Sequence, residues 1–166
     1  MKFKNLELYK NKKVLITGST GFKGGWLCLW LKLLGANVIG VGLKPENDSI
    51  IYNSLNLKDI IKQYFFDLRN FKKIDALVKK EKPDIIFHLA AQSIVSESIQ
   101  NPYETFDINI RSSMNVLETY KKNHIKNLVY ITSDKCYKNN EWIWSYREND
   151  IILEMTHTQL LNHALK

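Results

Sequence analysis

Residues 13–36 read KVLITGSTGFKGGWLCLWLKLLGA, a short apolar run that ends in glycine and opens onto a longer apolar run. The first six residues, KVLITG, predict a buried strand, being apolar without alternation and too short for a helix. From Gly24 onward the pattern is helical: Trp26, Trp30, Leu33 and Leu34 fall at i, i+4, i+7 and i+8, and Leu27 and Leu31 widen the stripe. Between strand and helix, Gly18, Gly21 and Gly24 form a GxxGxxG turn that also contains Phe22 and Lys23. Glycine permits a tight turn and close backbone approach, and the unpaired N–H groups of a helix start can be offered to a pyrophosphate. A glycine triplet alone is weak evidence, because glycines mark many turns. Its place at the joint of the first strand and first helix is what predicts a dinucleotide site.

Working outward, NVIGVGL (37–43), QYFFD (63–67), DIIFHLA (84–90) and NLVYITS (127–133) predict four further strands. KPENDSIIYNSLNLKD (44–59) reads as an irregular loop with one short helix. FKKIDALVKK (71–80) is an amphipathic helix closed by Pro83, and one long helix is expected over 103–122, after Pro102. Strands apolar on both faces, separated by helices, predict an α/β fold: a Rossmann-type, doubly wound parallel sheet with helices on both faces, truncated after about the fifth strand. A chain of 166 residues has the length of one domain.

Composition narrows the function classes. With 45% hydrophobic and 25% charged residues the chain is an ordinary globular protein. A formal charge of +7 favours anionic partners, but lysine pieces such as YKNKK and VKKEK read as solvated faces, and no nucleic-acid recognition motif accompanies them. Cys28 and Cys136 are far apart and lack metal-ligand neighbours, and His88 has no second ligand at helical spacing, so neither a disulfide framework nor a metal site is expected. The N-terminus has no apolar signal core. The run WLCLWLKLLG is interrupted by Lys32 and falls short of the ~20 residues of a membrane span, so a cytoplasmic location without membrane attachment is expected. At the end of the second strand, GLKPEND places Lys44 where an acid would hold ribose hydroxyls. Lys44 or Arg69 could favour a 2′-phosphate, and a loop lysine is more often a solubilising charge; NAD and NADP are both open.

The GxxGxxG spacing, with FFDLRN, IIFHLAAQ and LVYITSDKCY following in order, resembles the extended short-chain dehydrogenase/reductase superfamily, which includes NAD-dependent epimerases and dehydratases. By resemblance Asp67 and Leu68 border the adenine, Leu89, Ala90 and Ala91 run beneath the cofactor, and Asn109 helps hold the active-site architecture. More narrowly, GFKGGWLCLWL, HLAAQSIVSES and TSDKCYKNNEWIWSYREND are similar to the CDP-glucose 4,6-dehydratase branch, over about residues 12–150. That resemblance implies a lyase of deoxysugar biosynthesis acting on CDP-glucose or a related nucleotide sugar. It oxidises C4 transiently, loses water across C5 and C6, and returns the hydride at C6. The implied roles are Asp134 as acid at the C6 oxygen, Lys135 in the base position and Ser133 as hydrogen-bond partner of the C4 oxygen. Such chemistry needs a donor for the poor hydroxide leaving group and a base for the C5 proton. Without the flanking motif, Asp134 and Lys135 would read as a surface ion pair worth about 0–1 kcal/mol. The resemblance also implies a homo-oligomer.

The superfamily pattern continues with a YxxxK segment on the helix after the fifth strand, where residues four apart share a face. Here IILEMTHTQLLNHALK (151–166) follows instead, without it. Shifting the frame back by one base allows permitted codons for these residues to encode YYFGDDPYSTSKPCAE, which restores YxxxK. Residues 1–150 are therefore expected to be an incomplete dinucleotide-binding domain and 151–166 an out-of-frame tail, with the substrate domain absent and turnover lost. The alternative is an unrelated C-terminal helix with Leu160, Leu161 and Leu165 along one face, on a non-catalytic NAD(P)-binding module or regulator.

Overall fold

The computed structural model describes residues 4–45, 50–132, 137–138 and 140–151. Five strands, β1 (Lys13–Thr17), β2 (Asn37–Gly42), β3 (Lys62–Phe65), β4 (Ile85–His88) and β5 (Asn127–Tyr130), form one parallel sheet in the order β3-β2-β1-β4-β5. The chain steps outward from β1 to β3, then returns to the other side of β1 for β4. That reversal lies between β1 and β4, and such points are where sheets of this kind bind ligands, at the carboxyl ends of the strands. Register aligns those ends: Thr17 pairs with both Val41 and His88, and His88 with Tyr130.

Alternation along β1 sends its side chains to two cores. Val14 and Ile16 face one with Cys28, Leu31, Val38 and Leu57, beneath α1 (Phe22–Leu33), α2 (Ile50–Ser54) and α3 (Leu57–Ile60). Leu15 faces the other with Ile74, Val78, Ile86 and Val116, beneath α4 (Phe71–Glu81) and the later helices. The expected doubly wound arrangement is thus present, with helices on both faces. No helix among the described residues is long and apolar enough to cross a membrane.

Three local expectations are corrected. The buried face of α1 is Gly24, Gly25, Cys28 and Leu31, with Leu27 and Leu34 packed against the core, whereas Trp26, Trp30 and Leu33 are 48%, 56% and 76% exposed. Both lines fit a helical period, and close packing decides between them. A Cβ on Gly25 would stand 2.7 Å from Ile51 Cγ2, so the helix meets its neighbours along its small residues and turns the indoles outward. The segment 44–59 carries two short helices rather than one, with Asn56 in the left-handed region (φ 46°) between α2 and α3. The expected single helix over 103–122 is α6 (Pro102–Phe106), a π turn (Asp107–Arg111) and α7 (Ser112–Lys122). Each π turn takes in an extra residue, which a 3.6-residue pattern does not register. A 3-10 turn (Lys4–Tyr9) and helix α5 (Val95–Gln100) were not anticipated.

Candidate functional site

β1 runs directly into Gly18, whose φ of +74° lies in the region that glycine alone enters cheaply. A Cβ there would also stand 2.8 Å from Ala90 N, so the first turn and the end of β4 meet backbone to backbone. Gly21 N–H donates to the Gly18 carbonyl at 3.0 Å and closes the turn. A side chain on Gly24 would run into that same carbonyl, so helix α1 starts pressed against the turn. The three glycines are therefore unequal, because a Cβ on Gly21 would make only ordinary contact.

The start of α1 has no side-chain cap and no acid in its first turn. Among the described residues the N–H groups of Phe22, Lys23 and Gly24 have no partner, and Phe22 and Lys23 are exposed. Unpaired donors, the positive end of the helix dipole and a lysine together suit an anion.

At the end of β3, Asp67 Oδ2 accepts from Arg69 Nε at 2.9 Å and Nη2 at 2.6 Å, and Oδ1 accepts from the Arg69 backbone N–H. Arg69 Nη1 also reaches Glu104 at 2.7 Å and Asp107 at 3.0 Å. The guanidinium beside Asp67 holds its carboxyl below the usual carboxylate range, and the three acids push Arg69 further up. Leu68 is buried in the second core, and its carbonyl accepts from Asn115 Nδ2 at 2.8 Å. Lys44, after β2, is exposed.

Leu89 and Ala90, at the end of β4, donate their N–H groups to Thr17 Oγ1 at 3.2 and 3.3 Å. Ala91 follows exposed. The side chain of Asn109, in the π turn, then clamps the loop in both directions: Oδ1 accepts from Gln92 N–H at 2.8 Å and Nδ2 donates to the Gln92 carbonyl at 3.0 Å. His88 is buried between hydroxyls, with Nδ1 2.7 Å from Thr17 Oγ1 and Nε2 3.3 Å from Ser113 Oγ. Burial lowers its pKa from 6.5 to about 4.

The structure thus places Gly18, Gly21, Phe22, Lys23 and Gly24 in the turn after β1, with Gly18 against Leu89 and Ala90, and with Ala91 following, and places Asp67 and Leu68 after the carboxyl end of β3. Ser133, Asp134 and Lys135 lie outside the described residues. Sequence reasoning missed the roles of Thr17 and Ser113 and the commitment of Arg69 to three acids. Hydroxyls and charges that meet across 71 or 38 residues leave no local pattern. An open depression lined by Val78, Lys82, Pro83 and Ile125 lies at the opposite edge of the sheet. Among the described residues no group of three His, Cys, Asp or Glu side chains is placed to hold a metal ion.

Known proteins agree with this geometry. Residues 14–156 match the model of the NAD dependent epimerase/dehydratase family. The chain is 43% identical over 143 residues to CDP-glucose 4,6-dehydratase of Salmonella typhimurium, covering 86% of this chain and 40% of that protein. It is 30% identical over 151 residues to CDP-paratose 2-epimerase of Salmonella typhi, covering 83% and 41%. A UDP-glucose-4-epimerase structure from Stenotrophomonas maltophila, with bound NAD and formylated UDP-arabinopyranose, superposes with TM-score 0.76 at 26% identity over 93% of this chain and 47% of that one. The chain spans about 40% of the length of the curated relatives it matches. Motif, strand order and similarity converge: the chain belongs to the NAD dependent epimerase/dehydratase family, whose members include dehydratases and epimerases of nucleotide sugars.

Proposed function

We propose that this chain is the cofactor-binding part of a nucleotide-sugar dehydratase, of the kind that converts CDP-glucose to CDP-4-keto-6-deoxyglucose, and that NAD is its dinucleotide. The observation that carries the cofactor reading is the uncapped start of α1, seated by Gly24 on the Gly18 carbonyl and by Gly18 on Ala90. A group that accepts several hydrogen bonds and carries negative charge suits those donors better than water does, and a pyrophosphate is such a group. The N–H groups of Phe22, Lys23 and Gly24 would hold it, Lys23 would add a cation, and Ala90 and Ala91 would form the floor. Asp67 and Leu68 would border the adenine. NAD is preferred to NADP because Arg69 already serves three carboxylates, which leaves Lys44 as the described cation beside β2 for a 2′-phosphate.

When bound, the nicotinamide supplies a reversible hydride acceptor. Among the chain's own residues, Asp134 would deliver a proton to the departing C6 hydroxyl, Lys135 would take the C5 proton, and Ser133 would hydrogen-bond the C4 oxygen. The 43% identity with a CDP-glucose 4,6-dehydratase supports this branch over an epimerase. Catalysis in the cytoplasm by a homo-oligomer belongs to the same proposal.

A second reading, a non-catalytic NAD(P)-binding module, is favoured by one observation: residues 131–166 contain no YxxxK. We attribute that to a one-base deletion near codon 150. Resequencing the gene decides it, since a neighbouring frame without YxxxK refutes the deletion. Incubating the 166-residue chain with CDP-glucose and NAD tests the function: bound NAD without keto-sugar is expected, keto-sugar formation refutes the loss of turnover, and absence of NAD binding refutes the cofactor reading.

A further inference from the structure

We propose that His88 is a positioning residue for the bound dinucleotide, held as a neutral imidazole with its proton on Nε2 by a directed hydrogen-bond relay running from Thr17 to Asn109. The role rests on the cofactor reading above; the relay follows from donor arithmetic alone. A hydroxyl oxygen offers one proton and two lone pairs. Thr17 Oγ1 accepts the Ala90 N–H and shares the Leu89 N–H with the Thr17 carbonyl, and His88 Nδ1 is the one acceptor its own proton meets among the described residues. Its proton is what remains for His88 Nδ1, 2.7 Å away, so Nδ1 is bare. The ring proton therefore sits on Nε2 and points to Ser113 Oγ at 3.3 Å. Ser113 spends its own proton on the Asn109 carbonyl at 2.5 Å. Its second lone pair accepts the Tyr130 hydroxyl, also at 2.5 Å. No oxygen is overfilled, and only the Leu89 N–H is shared between two acceptors, Thr17 Oγ1 at 3.2 Å and the Thr17 carbonyl at 3.3 Å.

The two ends of this relay are the two ends of one loop. Thr17 Oγ1 holds the N–H of Ala90, the residue against which Gly18 is pressed, and Asn109 holds both backbone groups of Gln92. One imidazole, 2% exposed and with its ring 5.0 Å from that of Tyr130, thereby joins β1, β4 and α7 at the carboxyl ends of the strands. With the proton on Nδ1, the buried Thr17 hydroxyl would lose its acceptor and its oxygen would face three donors, so Ala90 would be released or Leu89 would fall back on the Thr17 carbonyl alone.

The test is nitrogen-15 NMR of the labelled 166-residue chain at neutral pH, with His88→Gln to assign the signal, together with NAD titration of Thr17→Val and Thr17→Ser. The relay requires the Nε2–H tautomer. Thr17→Val should weaken NAD binding by about tenfold, the worth of one well-placed hydrogen bond, while Thr17→Ser, which keeps the hydroxyl, restores it. If Thr17→Val does not fold, Ser113→Ala removes the acceptor at the other nitrogen and should show the same loss. An Nδ1–H ring or an imidazolium overturns the relay, and wild-type affinity in the Thr17→Val or Ser113→Ala chain overturns the positioning role. Failure of the wild-type chain to bind NAD refutes instead the cofactor reading and the role built on it, and the tautomer still decides the relay.

Discussion

Replacing Gly24 by alanine puts one methyl group where the structure has only backbone. The new Cβ would run into the Gly18 carbonyl oxygen, with the carbonyl carbon at 2.7 Å and Ser19 Cα at 3.1 Å. None of these atoms belongs to a flexible side chain, so α1 and the turn must separate by most of an ångström. Overpacking of that kind costs about 1–3 kcal/mol, partly offset by alanine's advantage of up to ~1 kcal/mol over glycine inside a helix. A net loss of about 1–2 kcal/mol lowers the melting temperature of a domain this size by roughly 2–8 °C. The effect on NAD should be larger, because the donors of Phe22, Lys23 and Gly24 move with the helix. Losing one of these charge-assisted hydrogen bonds, worth about 1.5–3 kcal/mol, weakens binding roughly ten- to a hundredfold. Gly21→Ala is the control: its Cβ would meet the Gly18 oxygen at 3.4 Å and its φ of −80° suits any residue, so its melting temperature should match wild type. Thermal melts and calorimetric titration of both variants check this. Equal losses of stability in the two, or a Gly24→Ala chain that binds NAD as wild type does, would show that the contact of Gly24 with the turn does not seat the helix start.

Three further outcomes follow from the same geometry. His88 has a folded pKa of about 4 against 6.5 unfolded, so the unfolded chain takes up the proton first. Stability from the neutral ring is full above pH 6.5, falls as pH drops towards 4 and then levels, by about 3 kcal/mol in all. His88→Gln should flatten that part of a pH series of denaturant melts, and an unchanged slope would count against a buried neutral imidazole. Arg69→Gln leaves Asp67, Glu104 and Asp107 facing one another, so the variant should melt below wild type in dilute buffer and recover part of the difference in high salt; equal melts at both ionic strengths would contradict it. Asn109→Ala removes both bonds to the Gln92 backbone and should cost about 1–3 kcal/mol, with faster hydrogen exchange at the Gln92 amide as the local readout.

The three inner strands β1, β2 and β4 were legible because each is a short run apolar on both faces, the pattern of a parallel sheet covered by helices on either side. The glycine turn was legible for a related reason: strand, glycines and helix occur without interruption. The inward face of α1 was not. Trp26 and Trp30 are the largest apolar side chains of the helix, yet the inward line is chosen by how closely Gly24 and Gly25 approach the turn and Ile51. The π turn was invisible because Asn109 is drawn to Gln92 by hydrogen bonds formed only once β4 and the helix lie side by side. In the candidate site, Gly18, Gly21, Phe22, Lys23 and Gly24 could be reached from local pattern. Asp67, Leu68, Leu89, Ala90, Ala91 and Asn109 needed a resemblance, and so did Ser133, Asp134 and Lys135, which lie outside the described residues. Arg69 and His88 act through partners distant in sequence, and only the folded chain shows what they hold.

The start of α1 is proposed to bind the pyrophosphate of NAD. Titrating NAD into the nitrogen-15-labelled chain and following the backbone amides tests it residue by residue. Binding there produces saturable shifts centred on the amides of Phe22, Lys23 and Gly24, with Ala90 and Ala91 responding alongside. A folded chain whose amides at those positions stay unmoved at saturating NAD, or shift only at the opposite edge of the sheet, would contradict it.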